Sequence, residues 1–132
     1  MDLNPLQRRV TDLSIDRLFE AIECIRTFDT EHNSHEMSIS VLISLLYIGS
    51  RNDCHKQSLE EDLLLTKASA SRNTDMLSKH HRLLLPSGKR KPGLGLIRKE
   101  VDPGDRRRTL LTLTKKGETL FTQVKQILYG ET

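Results

Sequence analysis

Three consecutive arginines, Arg106, Arg107 and Arg108, carry the clearest chemistry in this chain. They follow an Asp-Pro-Gly turn at residues 102–104, between two runs of residues typical of extended strands. A β-ribbon with guanidinium groups at its tip is suited to a narrow and electronegative target. The minor groove of DNA has both properties, so the ribbon predicts contact with duplex DNA.

Charge is distributed unevenly along the chain, although the net charge is only +3. Residues 1–66 hold 6 Lys and Arg against 12 Asp and Glu, whereas residues 67–108 hold 12 against 4. A strongly cationic segment within an otherwise acidic chain is typical of a domain that lays one face on a polyanion. The distribution therefore favours a nucleic-acid partner.

Apolar periodicity predicts the helices that would position the ribbon. Helices are predicted over about 4–28, 38–49 and 58–65, and the second is apolar on most sides, which indicates a central, buried position. Ser58 and Glu61 have the spacing of a capping box for the third helix. The segments 29–36 and 50–57 are polar and are predicted to be loops.

A helix-turn-helix precedes the ribbon. Thr66 is predicted to cap a fourth helix that runs to about residue 81, and Leu64 lies in the turn where glycine is common. Residues 82–94 contain Pro, Gly and a basic run, so they are predicted to form a loop. After the ribbon, Thr114 is predicted to cap a last helix from about 115 to 129.

Two segments of the sequence resemble the MarR family of bacterial regulators. The stronger is Gly95 to Arg107 with Leu111 to Gly117, which is similar to the family's wing: a Gly-Leu-Ile strand, an Asp-Pro-x-Asp-Arg-Arg tip and a Leu-Thr-x-x-Gly exit. The weaker is Leu59 to Leu77, which resembles the family's helix-turn-helix. Residues 82–94 are additional to the family pattern.

The resemblance implies a mainly α fold with a small β-wing, a winged helix-turn-helix with additional N- and C-terminal dimerisation helices. We expect one domain over residues 1–132, with dimerisation helices at 1–30 and 115–132, a DNA-binding core at 38–113 and the wing at 95–113. The apolar stripes of the terminal helices could be buried within one subunit, but in this family they pack against a partner. The implied partners are a second copy of the chain and double-stranded DNA with a palindromic operator.

Arg107 matches, by the resemblance, the arginine that enters the minor groove, with Arg106 and Arg108 beside it. Asp105 is expected to brace that arginine or a basic residue of the recognition helix, because an unpaired carboxylate facing DNA is repelled. The alternative is that the arginines are a solvated turn that keeps a strand edge from aggregating.

The recognition helix and the basic run of the predicted loop supply the remaining candidates. Those for base contact are Ser69, Ser71, Arg72 and Asp75. Those for phosphate contact are Lys67 and Lys79. The run Lys89, Arg90 and Lys91 is either a solvated linker or a second phosphate clamp. Mere exposure of a polar helix face would produce the same pattern on the recognition helix.

Catalytic and metal-binding motifs do not appear in the sequence, so we expect no enzyme, no cofactor and no metal. Cys24 and Cys54 are expected to be free thiols, and the lack of a long apolar run or signal-peptide pattern predicts a cytoplasmic protein with no membrane partner. The leading interpretation is a transcriptional repressor whose effector cannot be assigned. The alternatives are an architectural or replication-origin-binding protein of a mobile element, and a winged helix that binds another protein.

Overall fold

A computed structural model describes residues 5–28, 37–51, 53–84 and 86–130, and the side chains of 14–28, 37–51, 53–79, 86–89 and 92–130. The helices of these residues are α1 (Pro5–Thr27), α2 (Ile39–Gly49), α3 (Lys56–Asp62), α4 (Lys67–Leu77) and α5 (Lys115–Tyr129). The strands are β1 (Cys54–His55), β2 (His80–Leu84), β3 (Arg90–Pro92), β4 (Ile97–Asp102) and β5 (Asp105–Leu113). The predicted winged helix-turn-helix is confirmed, with α3 and α4 as its helix pair.

The wing is an antiparallel ribbon of β4 and β5, and β1 adds a short third strand in the order β1-β5-β4. The register runs from Ile97 opposite Leu113 to Val101 opposite Thr109, and then shifts so that Asp102 lies opposite Asp105. The three arginines therefore lie within the first residues of β5, not ahead of the strand as the sequence suggested. The predicted loop at 50–57 is wrong at Cys54 and His55, which pair with Leu111 and Leu110.

Side-chain caps begin the helices where local sequence predicts them. Thr66 Oγ1 accepts from Ser69 N at 3.0 Å, and Thr114 Oγ1 accepts from Gly117 N at 3.1 Å. Both predicted caps are confirmed. The capping box at Ser58 is wrong, because α3 begins two residues earlier with His55 in the cap position and without a side-chain bond.

The recognition helix α4 ends at Leu77, about one turn before the predicted end. Its last carbonyls are used by the chain that returns toward β4: Leu94 N donates to Met76 O at 2.9 Å, and Leu96 N donates to Leu77 O at 2.8 Å. At Gly93 any Cβ would lie 1.9 Å from the carbonyl oxygen of Ser78. This close approach requires glycine. The helix ends where Ser78 adopts an extended conformation.

A second hairpin replaces the predicted loop at 82–94. Strands β2 and β3 are antiparallel, with His80 opposite Pro92 and Leu84 opposite Arg90. The prediction failed because Pro86, Gly88 and the basic run are typical of loops, whereas the hairpin is closed by the backbone pairing at its base.

The core lies between the helices and one face of the wing sheet. Its largest fully buried apolar side chains are Leu45, Ile48, Leu59, Leu77, Leu96, Ile97, Leu111 and Leu120. The prediction of a buried α2 is right for only one side of the helix, because Ile39 and Ile43 remain 75% and 45% exposed. In the part of the chain described, no helix is long and apolar enough to span a bilayer.

Leu64 lies in the turn between α3 and α4 with φ +54°, a left-handed conformation that costs a residue with a Cβ about 1–2 kcal/mol. Its side chain is 88% exposed, so little buried contact offsets this cost. The turn therefore has a backbone conformation that favours glycine, although the residue at this position is leucine.

We expect Leu64→Gly to stabilise the fold by about 1 kcal/mol, because glycine removes the left-handed strain and little buried area is lost. The measurement is the free energy of unfolding in urea. The matched control is Gln126→Gly, at an exposed position inside α5, which should destabilise by a similar amount. Destabilisation by both variants would show that the turn carries no such strain.

Candidate nucleic-acid interface

The buried side of α4 anchors the recognition helix to α2. Ala70, Thr74 and Leu77 are fully buried, and Asn73 joins them at 8% exposure. The Asn73 amide donates to Ser40 Oγ at 2.9 Å and to Ser44 Oγ at 3.1 Å. Because a buried amide without partners is costly, these bonds fix the rotation of α4 about its axis and hence the side chains that face outward.

Three polar side chains at the N-terminal end of α4 are linked by hydrogen bonds. Thr66 Oγ1 donates to Ser69 Oγ at 2.9 Å, and Arg72 Nη2 donates to the same oxygen at 3.2 Å. Ser69 is therefore engaged in the cap, while Lys67 and Arg72 are exposed. Lys79 is also exposed but lies beyond the end of the helix.

Two lysines that the sequence analysis missed hold the outer face of α4. Lys56 Nζ, at the start of α3, donates to Ser71 Oγ at 3.0 Å. Lys99 Nζ, on β4, donates to Asp75 Oδ1 at 2.5 Å. Alternation along β4 contained a signal for Lys99, because it shares a face with the buried Ile97 and that face turns toward the helix.

The wing arginines are open to solvent, and Asp105 contacts two of them. The side chain of Arg107 is 91% exposed and that of Arg108 is 48% exposed. Asp105 Oδ1 accepts from Arg107 N at 3.1 Å and from Arg107 Nε at 3.3 Å, and Oδ2 lies 3.6 Å from Arg108 Nε. The expected brace on Arg107 is present. Arg106 is exposed as well.

A hydrogen bond from His55 ties the wing tip to the start of α3. His55 Nε2 donates to Asp102 Oδ2 at 2.6 Å, and Asp102 Oδ1 accepts from Gly104 N at 2.8 Å within the turn. The bond from His55, followed by that from Gly104, lowers the pKa of Asp102. Sequence reasoning missed this contact because the two residues are 47 positions apart.

Cationic side chains from the helix pair and the wing surround one hollow of about 310 Å³. Its lining consists of Lys56, Gln57, Glu60, Lys67, Arg107, Arg108 and Thr109. The fold thus brings Lys67 together with two of the predicted wing arginines, and adds Lys56. An adjoining hollow lies along the outer face of α4 and is lined by Lys67, Ala68, Ser71, Asp75 and Lys99.

Of the basic run in the inserted hairpin, Lys89 lines neither of these two hollows. Lys89 is exposed near the hairpin tip, whereas the side chains of Arg90 and Lys91 lie outside the described residues.

Both cysteines are free thiols. Desolvation raises the pKa of both thiols, with Cys54 buried and Cys24 half-buried. A raised pKa disfavours the thiolate, the form that reacts with oxidants. Among the histidines, cysteines and carboxylates whose side chains are described, no group of three could hold a metal ion.

Comparison with solved structures places this arrangement of elements in a known fold. Wild-type MarR from E. coli in its apo form matches with 16% identity and a TM-score of 0.55, over 96% of this chain and 78% of that one. A MarR-like transcriptional regulator from Thermotoga maritima matches with 21% identity and a TM-score of 0.56, over 98% and 81%. The fold is the MarR winged helix.

The similar structures include a complex with operator DNA. A cysteine-to-serine mutant of E. coli MarR complexed with operator DNA matches with 18% identity and a TM-score of 0.52, over 97% of this chain and 79% of that one. No protein-family model and no curated protein sequence matches this chain. The likeness is therefore one of fold, carried by structure at low sequence identity.

We expect Asp102→Asn to lower the free energy of unfolding at pH 7, with a difference from wild type that shrinks in acid. The pKa of Asp102 is depressed by folding, so its stabilisation is present above the ordinary aspartate pKa of about 3.9 and is lost as the pH falls through the depressed value. Urea unfolding at pH 7 and at several values below pH 4 measures the difference.

The control for this prediction is the same substitution combined with His55→Gln. Because His55 is the largest cause of the depressed pKa, Asp102→Asn should cost less in that background. A difference from wild type that stays constant down to pH 2 would contradict the proposed role of the His55–Asp102 bond.

Proposed function

We propose that this chain is a MarR-type transcriptional regulator that binds double-stranded DNA with sequence specificity. The observation that carries the proposal is the hollow lined by Lys56, Lys67, Arg107 and Arg108, in which cations from α3, α4 and β5 face one space. A surface of this kind matches the closely spaced phosphates of a duplex. Operator binding by a protein of the same fold supports this proposal.

In the proposed complex α4 enters the major groove. Arg72, Ser71 and Asp75 are the candidates for base contact, because they lie on the side of α4 opposite its anchor to α2. Lys67 and Lys79 contact phosphates and set the position of the helix without reading sequence. Ser69, already bonded to Thr66 and Arg72, orients Arg72 at the start of the helix.

The ribbon of β4 and β5 enters the adjacent minor groove. Arg107 is the inserted side chain, because it is 91% exposed and its guanidinium is held by Asp105. A held guanidinium loses less conformational freedom on binding than a free one. Arg106 and Arg108 contact the flanking phosphates. The basic run of the inserted hairpin provides a second contact with the phosphate backbone of the DNA, through Lys89, Arg90 and Lys91.

A homodimer would cover the apolar face of α1. Ile15, Leu18 and Phe19 are 61%, 51% and 63% exposed, and α1 packs along α5, whose Leu128 and Tyr129 are also exposed. Apolar residues clustered in this way mark an interaction surface. Two subunits related by a two-fold axis would direct two α4 helices at a palindromic operator, and occupancy of that operator would repress transcription.

The test of DNA binding is the affinity of Arg107→Ala for duplex DNA selected by the wild type from a random pool. We expect a ten- to hundredfold loss, which corresponds to about 1–3 kcal/mol for one inserted arginine. Fluorescence anisotropy at fixed salt measures it. Binding that survives unchanged would remove Arg107 from the interface.

The matched control is Lys125→Ala, which removes one exposed cation from α5 that lines a different hollow from the cationic one. Its affinity should equal that of the wild type. If the wild type itself ignores every duplex at low ionic strength while remaining folded, a protein-binding winged helix becomes the better interpretation.

We expect the purified chain to sediment with twice the mass of one subunit at micromolar concentration, and Phe19→Asp to shift it toward the monomer. Burying a carboxylate against apolar side chains of the partner costs several kcal/mol. The control is Val101→Asp on the wing, where the side chain is 62% exposed, close to the 63% of Phe19. A monomeric wild type would exclude the dimer.

A further inference from the structure

Two polar side chains on the outer face of α4 are each held by a lysine from a different element. Ser71 and Asp75 are four residues apart, so they lie on the same face about 6 Å apart along the helix. Lys56 of α3 holds the first, and Lys99 of β4 holds the second. Both side chains line the hollow along α4 with Lys67.

Asp75 presents a carboxylate where the proposed function places DNA. An uncompensated carboxylate there would repel the phosphates. Lys99 compensates it through a contact of 2.5 Å in which the side chains are only 23% and 22% exposed, for lysine and aspartate respectively. Salt screens a partly buried pair of this kind less than it screens an exposed one.

The contact with Lys99 uses only one carboxylate oxygen of Asp75. Lys99 Nζ bonds Oδ1, and among the described residues no donor is bonded to Oδ2. A carboxylate oxygen can accept a hydrogen bond but cannot donate one. At a base edge in the major groove, the group it selects is therefore an amino group, and the N4 amino group of cytosine is the typical partner of aspartate.

We propose that Lys99 and Asp75 form one base-reading unit, in which Lys99 is a positioning residue and Asp75 Oδ2 accepts from a cytosine amino group in each half-site. This inference rests on the proposed function and adds a specificity. Because Lys99 belongs to the wing strand, the same bond couples the pose of the wing to the pose of the recognition helix. Ser71, whose oxygen already accepts from Lys56, remains free to donate to a neighbouring base.

The first experiment is selection of duplexes from a random pool by the wild type and by Asp75→Asn. The wild type should require cytosine at one position of each half-site. The variant should lose that preference, or change it to adenine, which pairs bidentately with Asn, while the preferences at the other positions persist. An unchanged preference at every position would overturn the assignment of Asp75.

The second experiment is a double-mutant cycle of binding affinity with Lys99→Met and Asp75→Asn on the wild-type duplex. If Lys99 acts through Asp75, Lys99→Met weakens binding about tenfold when Asp75 is present and by less than about threefold in the Asp75→Asn background, in keeping with coupling energies of about 0.5–3 kcal/mol. Equal losses in both backgrounds would identify Lys99 as an independent phosphate contact and overturn the unit.

Lys79→Met is the matched control, since Lys79 is exposed and not bonded to Asp75 in the structure. It should lower affinity by the same factor in both backgrounds and reduce the salt dependence of binding by about one phosphate contact. Lys99→Arg keeps the positive charge, so its preference for cytosine should match that of the wild type. This variant separates the positioning role of Lys99 from a loss of fold.

The two proposals fail in different ways. A folded wild type that binds no duplex at low salt overturns the proposed function and this inference together. A wild type that binds selected duplexes, with a base preference that Asp75→Asn does not alter, overturns this inference alone.

Discussion

Residues 67–108 hold 12 Lys and Arg against four carboxylates, and each of those carboxylates is paired with a basic side chain. Lys99 holds Asp75, His55 holds Asp102, Arg107 and Arg108 hold Asp105, and Arg98 lies 3.9 Å from Glu100. Without these pairs, the 12 Lys and Arg of the segment would repel one another. The carboxylates lower that repulsion and, at the same time, hold the basic groups in set directions.

The apolar core sets the positions of the helices and strands that carry these pairs. Leu59 of α3, Leu77 of α4 and Leu111 of β5 are fully buried together, which brings the helix pair against the wing sheet. The polar anchor of Asn73 to α2 then fixes which face of α4 is turned outward. The polar ties therefore adjust an arrangement whose main free energy comes from burial of apolar area.

The elements that depend on nearby residues were predictable from the sequence. The caps at Thr66 and Thr114 and the brace of Asp105 on Arg107 involve residues two or three positions apart, so local pattern was enough. The ribbon and the long helices followed from apolar periodicity, and the wing motif led to the correct fold. The second hairpin was missed, because its strands are closed by backbone pairing between residues 76–79 and 93–96.

The sequence by itself determined the charge division, the order of helices and ribbon, and the arginines at the wing tip, since composition, periodicity and turn residues are local properties. Only the tertiary structure decided which groups meet. Lys99 reaches Asp75 across 24 positions and His55 reaches Asp102 across 47, and both contacts depend on how the sheet packs on the helix pair. Alternation along β4 can place Lys99 on the same face as Ile97, but packing of distant segments is set by the whole core, so local pattern does not identify the partner of either residue.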